Sequence, residues 1–214
     1  MIISWNVRGC NNIAKVREIN FRLSDLQVAV AILVETRVKE GKSMSIRKKL
    51  GQRWCYLDNY THHPNGRIWI LWDPTQVDIR LVTGNAQFRL VTGNAQFLHC
   101  ELFDKSGVRM IWLTAIYALN HLEDRRLLWN DVQRLEPHIQ GNWLLMGDFN
   151  NVLTAQDRIG GSLVQPGEYC DLASMMDTAG LSELDSIGEH FTWHNRHTQD
   201  PIYSRIDRVI GNMC

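Results

Sequence analysis

The sequence predicts one domain, a mostly β sandwich with covering helices, and three observations predict it. Short apolar runs rich in β-branched residues read as buried strands, and three amphipathic stretches at helical spacing lie between them. No linker or low-complexity tract divides the 214 residues. The composition, 44% hydrophobic and 21% charged, is that of an ordinary folded chain.

Taken in order, Ile2–Val7 reads as a short strand and Lys15–Leu26 as a helix. Val28–Val34 is a near-continuous apolar run, the pattern of a strand buried on both faces. Arg67–Trp72 is a strand that follows the turn His63-Pro64-Asn65-Gly66. Val108–Tyr117 and Trp143–Met146 are two further buried strands, with the helix Glu123–Leu135 between them. That helix carries Leu128, Trp129, Val132 and Leu135 on one face, and the helix Glu168–Ala179 carries Tyr169, Leu172, Met175 and Met176 on one face. Both stripes read as core. Phe191–Trp193 and Tyr203–Ile210 are the last strands.

Arg80–Phe88 is repeated without change as Arg89–Phe97. Side chains alternate faces along a strand, so a nine-residue slip turns a core face to solvent, and only one copy can keep the register. The other must bulge or fold back as a hairpin. The repeat reads as an in-frame duplication without assigned function.

The formal net charge is zero, with 23 basic and 23 acidic residues, which excludes a strongly basic tail or an acidic disordered chain. The balance hides an asymmetry: residues 1–53 hold 11 Lys and Arg against 4 Asp and Glu, and are therefore +7. Arg37, Lys39, Lys42, Arg47, Lys48, Lys49 and Arg53 form the densest stretch. It reads either as a solvated helix face or as a patch facing phosphates. The five scattered cysteines, Cys10, Cys55, Cys100, Cys170 and Cys214, read as reduced thiols serving as small core residues. No apolar run approaches the roughly 18 residues of a membrane span, and no targeting signal is visible, which suits a nuclear or cytoplasmic chain without a membrane partner.

The chemistry sits at strand ends. Ile3-Ser4-Trp5-Asn6-Val7-Arg8-Gly9, Leu33-Val34-Glu35-Thr36-Arg37, Leu145-Met146-Gly147-Asp148-Phe149-Asn150 and Ser204-Arg205-Ile206-Asp207 each carry an apolar strand segment next to a polar or acidic residue. A carboxylate ending a buried run is costly unless it is paired, hydrogen-bonded or on a metal. Each alone reads as a loop residue past its strand, but four in one small domain point to one shared site. Hard oxygen donors of this kind suit Mg2+, which takes one or two carboxylates and keeps positions for water and phosphate.

The ordered set Trp5-Asn6-Val7-Arg8-Gly9, Glu35-Thr36, Tyr117 with Asn120, Gly147-Asp148-Phe149-Asn150, Phe191-Thr192-Trp193 and Arg205-Ile206-Asp207 resembles the endonuclease/exonuclease/phosphatase superfamily. Within it, the wording is most similar to the endonuclease domain of plant LINE-type non-LTR retrotransposons. The resemblance implies an α/β fold, a four-layered sandwich of two mostly antiparallel β-sheets flanked by helices, with the site at one edge. It implies Glu35 as principal metal ligand, Asn6 as helper to the metal and the attacking water, and Tyr117 as a contact to the scissile phosphate. Asp148 would handle a proton, Asn150 would hydrogen-bond the phosphate, and Asp207 would orient a catalytic histidine. Asn120 matches a phosphate-side asparagine. Trp193 reads either as a substrate contact or as a core aromatic. With Arg37, Lys48 and Lys49 they would face DNA. Mg2+ is the implied cofactor, Mn2+ the alternative, and no obligate protein partner is evident.

Relatives end in a Ser-Asp-His motif on a final strand, which this chain, ending Gly211-Asn212-Met213-Cys214, does not contain. As a single domain over residues 1–214 it is expected to lack the closing C-terminal strand, to expose a sheet edge and to be weak or inactive. His190, His194 and His197 have metal-like spacing but read as loop residues, and His121 is the stand-in base to try. Three readings stay open: a metal-dependent endonuclease of DNA, a non-catalytic nucleic-acid-binding remnant of a retroelement, and a small phosphate-ester hydrolase of the same superfamily.

Overall fold

The computed structural model describes residues 1–81 and 93–212. In chain order the elements are β1 (Ile2–Asn6), α1 (Ile13–Asp25), β2 (Val30–Val34), α2 (Glu40–Leu50), β3 (Cys55–Asp58), β4 (Ile68–Trp72), β5 (Asp78–Leu81), β6 (Phe97–Phe103) and β7 (Arg109–Tyr117). They continue with α3 (Leu122–Leu135), β8 (Trp143–Asp148), β9 (Arg158–Ile159), α4 (Pro166–Thr178), β10 (Ser182–Glu183), β11 (Trp193–His194), β12 (Tyr203–Ser204) and β13 (Asp207–Gly211).

Period-two alternation explains the layers. Along β2, Val30, Ile32 and Val34 point to one face, and Ala31 and Leu33 to the other. The first set packs with Ile68 and Ile70 against Leu98, Leu113 and Met146 of a second sheet, forming the core between the sheets. The second set packs under Val16, Ile19 and Leu23 of α1 and Ile46 and Leu50 of α2. On the far side, Ile116, Trp143 and Leu145 meet Leu128 and Val132 of α3 and Leu172 and Met175 of α4. The result is helices, sheet, sheet, helices: an α/β four-layered sandwich. Burial on both faces is why the strands read as unbroken apolar runs.

The first sheet has the order β1-β2-β4-β3 and the second β10-β13-β8-β7-β6-β5; β11-β12-β9 form a small third sheet. Strand pairs β1–β2 and β7–β8 are parallel, and the other pairs in the two large sheets are antiparallel. Strand β1 lies at an edge of its sheet.

Several expectations are corrected. Tyr203–Ile210 is two strands: at Arg205–Ile206 the chain leaves the small sheet and enters the large one. The strand expected at Phe191–Trp193 is confined to Trp193–His194. Helix α2 and strands β3, β5, β6, β9 and β10 went unanticipated. In α2 only Ser43, Ile46 and Leu50 are buried, too sparse a stripe to stand out, and in β6 His99 and Glu101 interrupt the apolar pattern. Cys10 and Cys100 are buried and Cys55 is intermediate, but Cys170 is exposed and is no core residue. The duplication falls mostly outside the described residues; Arg80 and Leu81 of the first copy lie on β5, and Phe97 of the second opens β6.

Candidate active site

Parallel strands that run side by side deliver their C-terminal residues to the same rim. Asn6 is in register with Val34, the residue before Glu35, and Tyr117 is in register with Asp148. Strand β13 runs antiparallel to β8 and starts at that rim, so Asp207 faces Asp148. Turns in left-handed conformations leave the rim at once: Arg8, Glu35, Arg37 and Asn150 all have φ near +50°. Such backbone in non-glycine residues is uncommon and clusters where a side chain must be aimed.

Gly147 sets how closely β7 and β8 approach. Its φ is +146°, and a Cβ there would lie 2.0 Å from the Ile116 carbonyl oxygen. Only glycine fits, and the close approach puts Asp148 beside Tyr117.

Contacts within the rim join residues far apart in the chain. The Asn6 amide donates to Asp148 Oδ2 at 2.7 Å, and the Asn150 backbone N–H donates to Asp148 Oδ1 at 2.9 Å. Tyr117 donates its hydroxyl to Glu35 Oε1 at 3.1 Å, while Arg37 pairs with Glu35 Oε2 at 2.9 Å. The Asn150 side chain is turned to the Ala118 carbonyl oxygen at 2.6 Å. Two adjoining clefts open here. One of about 380 Å3 is lined by Asn6, Arg8, Glu35, Asn120, Asp148, Asn150 and Trp193 among others, and a smaller one of about 230 Å3 by Asn6, Asp148, Thr192, Trp193 and Asp207.

Of the residues singled out in the sequence, Asn6, Glu35, Tyr117, Asp148, Asn150 and Asp207 converge, and Asn120 and Trp193 border the same cleft. Arg37 reaches it through Glu35. Lys48 and Lys49 are exposed in the last turn of α2 and line neither cleft. Arg47, from the same basic run, pairs with Asp58 and lies over the rings of Tyr56 and Trp69, so it is part of the packing. His190 sits by Asp157 and Arg205, and His194 stacks on Tyr203; neither lines the two clefts.

Arg67 was missed. It donates to the Tyr117 hydroxyl at 2.8 Å, which in turn donates to Glu35. Glu35 and Asp148 lie at the C-terminal ends of their strands, but β4 is antiparallel to β2 and reaches the rim with its N-terminal end. The detectable signal is a cation directly before the apolar run Ile68–Trp72.

The electrostatics divide the site. Burial, then the charge of Asp207, hold the Asp148 carboxyl well above the usual carboxylate range, despite the Asn150 and Asn6 donors. Burial likewise raises Asp207, opposed by Thr192 and Arg8. Two acids in register on neighbouring strands, Asp148 buried and Asp207 half-buried, favour keeping a proton between them. Burial and the neighbouring Glu35 push the Tyr117 phenol up to about 12, so it stays a neutral donor.

A divalent cation fits this donor set. Among the described residues no three His, Cys, Asp or Glu side chains form a ready-made cage, but Mg2+ needs only one or two carboxylates. Glu35 is partly open, with 16% of its side chain exposed, and Asn6 borders the same cleft. A cation there would also offset the crowding of Glu35, Asp148 and Asp207.

The fold and the rim define a class. The sequence matches the Endonuclease/Exonuclease/phosphatase family over residues 3–212, and the chain belongs to that family. Among solved structures it is similar to the endonuclease domain of TRAS1, a telomere-specific non-LTR retrotransposon, at a TM-score of 0.71 and 13% identity, covering 98% of this chain and 83% of that one. It is also similar to the AP endonuclease LMAP from Leishmania major, with a TM-score of 0.72, 14% identity, and 98% and 78% coverage. A third similar structure is D. rerio TDP2 complexed with single strand DNA product, with a TM-score of 0.66, 15% identity, and 100% and 83% coverage. Identities this low establish the shared fold. Among curated protein sequences, none matches. No helix among the described residues is long and apolar enough to cross a membrane.

Proposed function

We propose that this chain is a divalent-metal-dependent phosphodiesterase of DNA, an endonuclease of the retrotransposon kind. The observation that carries the reading is the convergence of Asn6 on Asp148 and Tyr117 on Glu35, across 142 and 82 residues of chain, at one open cleft. Glu35, with Asn6 beside it, would hold Mg2+ or Mn2+, which supplies charge neutralisation at a phosphoryl oxygen and a more acidic water. Tyr117, kept as a neutral phenol, is a donor to a phosphate oxygen. Asp148, held by burial and Asp207 in a range where it can carry a proton near neutral pH, exchanges one with the attacking water or the leaving oxygen. Asn150 and Asn120 are further phosphate donors, and Trp193 packs against the substrate.

Among the described residues, no histidine lines either cleft. Asp148 then handles protons without an imidazole beside it, and the absence of one of two proton-transfer groups costs roughly 10²–10⁴-fold in rate, so nicking is expected to be slow. The same observation favours a second reading, a nucleic-acid-binding module without catalysis. Nicking of supercoiled plasmid with Mg2+, in parallel with Glu35→Ala, separates the two. Metal-dependent nicking lost in Glu35→Ala supports the hydrolase. DNA binding without nicking supports the second reading, and hydrolysis of soluble phosphate esters without DNA cleavage overturns the DNA substrate.

A further inference from the structure

Beside the cleft that holds Asp148 lies a second, more open one of about 700 Å3 that shares Asn6 and Arg8 with it. Its wall comes from three separate pieces of chain. Arg8 leaves β1, Lys15 stands in the first turn of α1, Arg37 follows β2, and Arg196 projects from the hairpin between β11 and β12. Four cations line it, and no carboxylate does. Their charge is only partly used: Arg37 pairs with Glu35 and Lys15 with Glu18, but Arg196 makes no ion pair among the described residues. Like charges gathered from three segments around an open concavity repel one another. That cost stays unless an anion is shared among them.

Resting on the nucleic-acid part of the proposed function, we infer that this cleft holds the sugar–phosphate backbone next to the scissile phosphate, with Arg8, Lys15, Arg37 and Arg196 as its phosphate contacts. Continuity through Asn6 and Arg8 allows one strand to run from this cleft into the reaction cleft without lifting off the surface. The occupant is a polyanion because four cations from three segments of chain line one open cleft of about 700 Å3, far more room than a single phosphate group fills. The electrostatic grip on DNA then lies in the cleft, with Arg196 and Lys15, and not in the last turn of α2, with Lys48 and Lys49.

The salt dependence of binding tests this without any need for catalysis. A short fluorescein-labelled duplex is titrated in EDTA at several NaCl concentrations, and the slope of log K against log[salt] is compared among variants. Each lost phosphate contact flattens the slope by about 0.9. Arg196→Ala and Lys15→Ala are each expected to do so, the double variant to add the two, and Arg196→Lys to keep the slope. The pair Lys48→Ala with Lys49→Ala is expected to leave it unchanged. An unchanged slope in the Arg196 and Lys15 variants, a flattened one in the Lys48 and Lys49 pair, or no duplex binding by the wild type at low salt each overturns the inference. Circular dichroism melts confirm that every variant is folded. Nicking that fails while the slopes behave as expected would sink the hydrolase reading alone.

Discussion

The two halves of the rim treat their acids in opposite ways. Glu35, delivered by the first sheet, is partly open and has two donors aimed at it, the Tyr117 hydroxyl and the Arg37 guanidinium. Asp148, delivered by the second, is 2% exposed and faces another acid, Asp207. The first arrangement favours the charged carboxylate. The second favours the protonated carboxyl. One cleft therefore sets an ion-paired, partly open carboxylate beside a buried one, and under the proposed function the first would hold the metal and the second a proton.

The largest expected effects break the two halves separately. Glu35→Ala and Asp148→Asn should each lower metal-dependent nicking by roughly 10²–10⁴-fold, but only Glu35→Ala should also weaken Mn2+ binding strongly, read by electron paramagnetic resonance. Equal loss of Mn2+ in both would erase the division.

Next in size is the joint between the halves. Gly147→Ala places a methyl on the Ile116 carbonyl and demands backbone that alanine rarely adopts. Destabilisation of about 3 kcal/mol or more is expected in chemical denaturation. A near-neutral result would mean that β7 and β8 need not approach so closely.

The smallest effect sharpens the comparison through pH. Asp148 is raised in the folded protein, from 3.8 to about 7. Its contribution to stability is therefore present below the unfolded value and is lost as pH rises through the folded one. Asp148→Asn should gain thermal stability relative to wild type as pH increases from about 4 to 8. His99 behaves in the opposite sense. Buried between Trp112 and Trp143 and bonded to Thr114, it is lowered from 6.5 to about 4 by burial. Its contribution is present above the unfolded value and is lost as pH falls through the folded one, on the order of 3 kcal/mol in all. Melting temperatures of Asp148→Asn and His99→Phe between pH 4 and 8 should deviate from wild type at opposite ends of the range. Deviation at the same end would contradict one of the two burial arguments.

Much of the fold is legible in the chain because burial on both faces leaves a strong pattern. Val30–Val34 and Trp143–Leu145 are apolar without interruption, and Leu128, Trp129, Val132 and Leu135 mark α3. Elements that bury little, such as α2, or that carry a buried histidine, such as β6, leave a pattern too faint to separate from loops. In the site, an acid directly after an apolar run is conspicuous at Glu35 and Asp148. Arg67 is not, since an arginine before a strand looks like any surface cation until Tyr117 is found beside it.

What the sequence determined by itself is local. The period of apolar residues sets strand or helix, and the cost of burying a bare carboxylate marks the ends where chemistry sits. Which of those ends meet was decided by the tertiary structure alone. Asn6 touches Asp148 because β1 and β2 share one parallel register, β8 and β13 share an antiparallel one, and the two sheets stack. Pairing of β8 with β13 sets Asp148 against Asp207, and the stacking buries Asp148 while leaving Glu35 partly open, a difference in solvation that two acids following similar apolar runs do not carry in their own neighbourhoods.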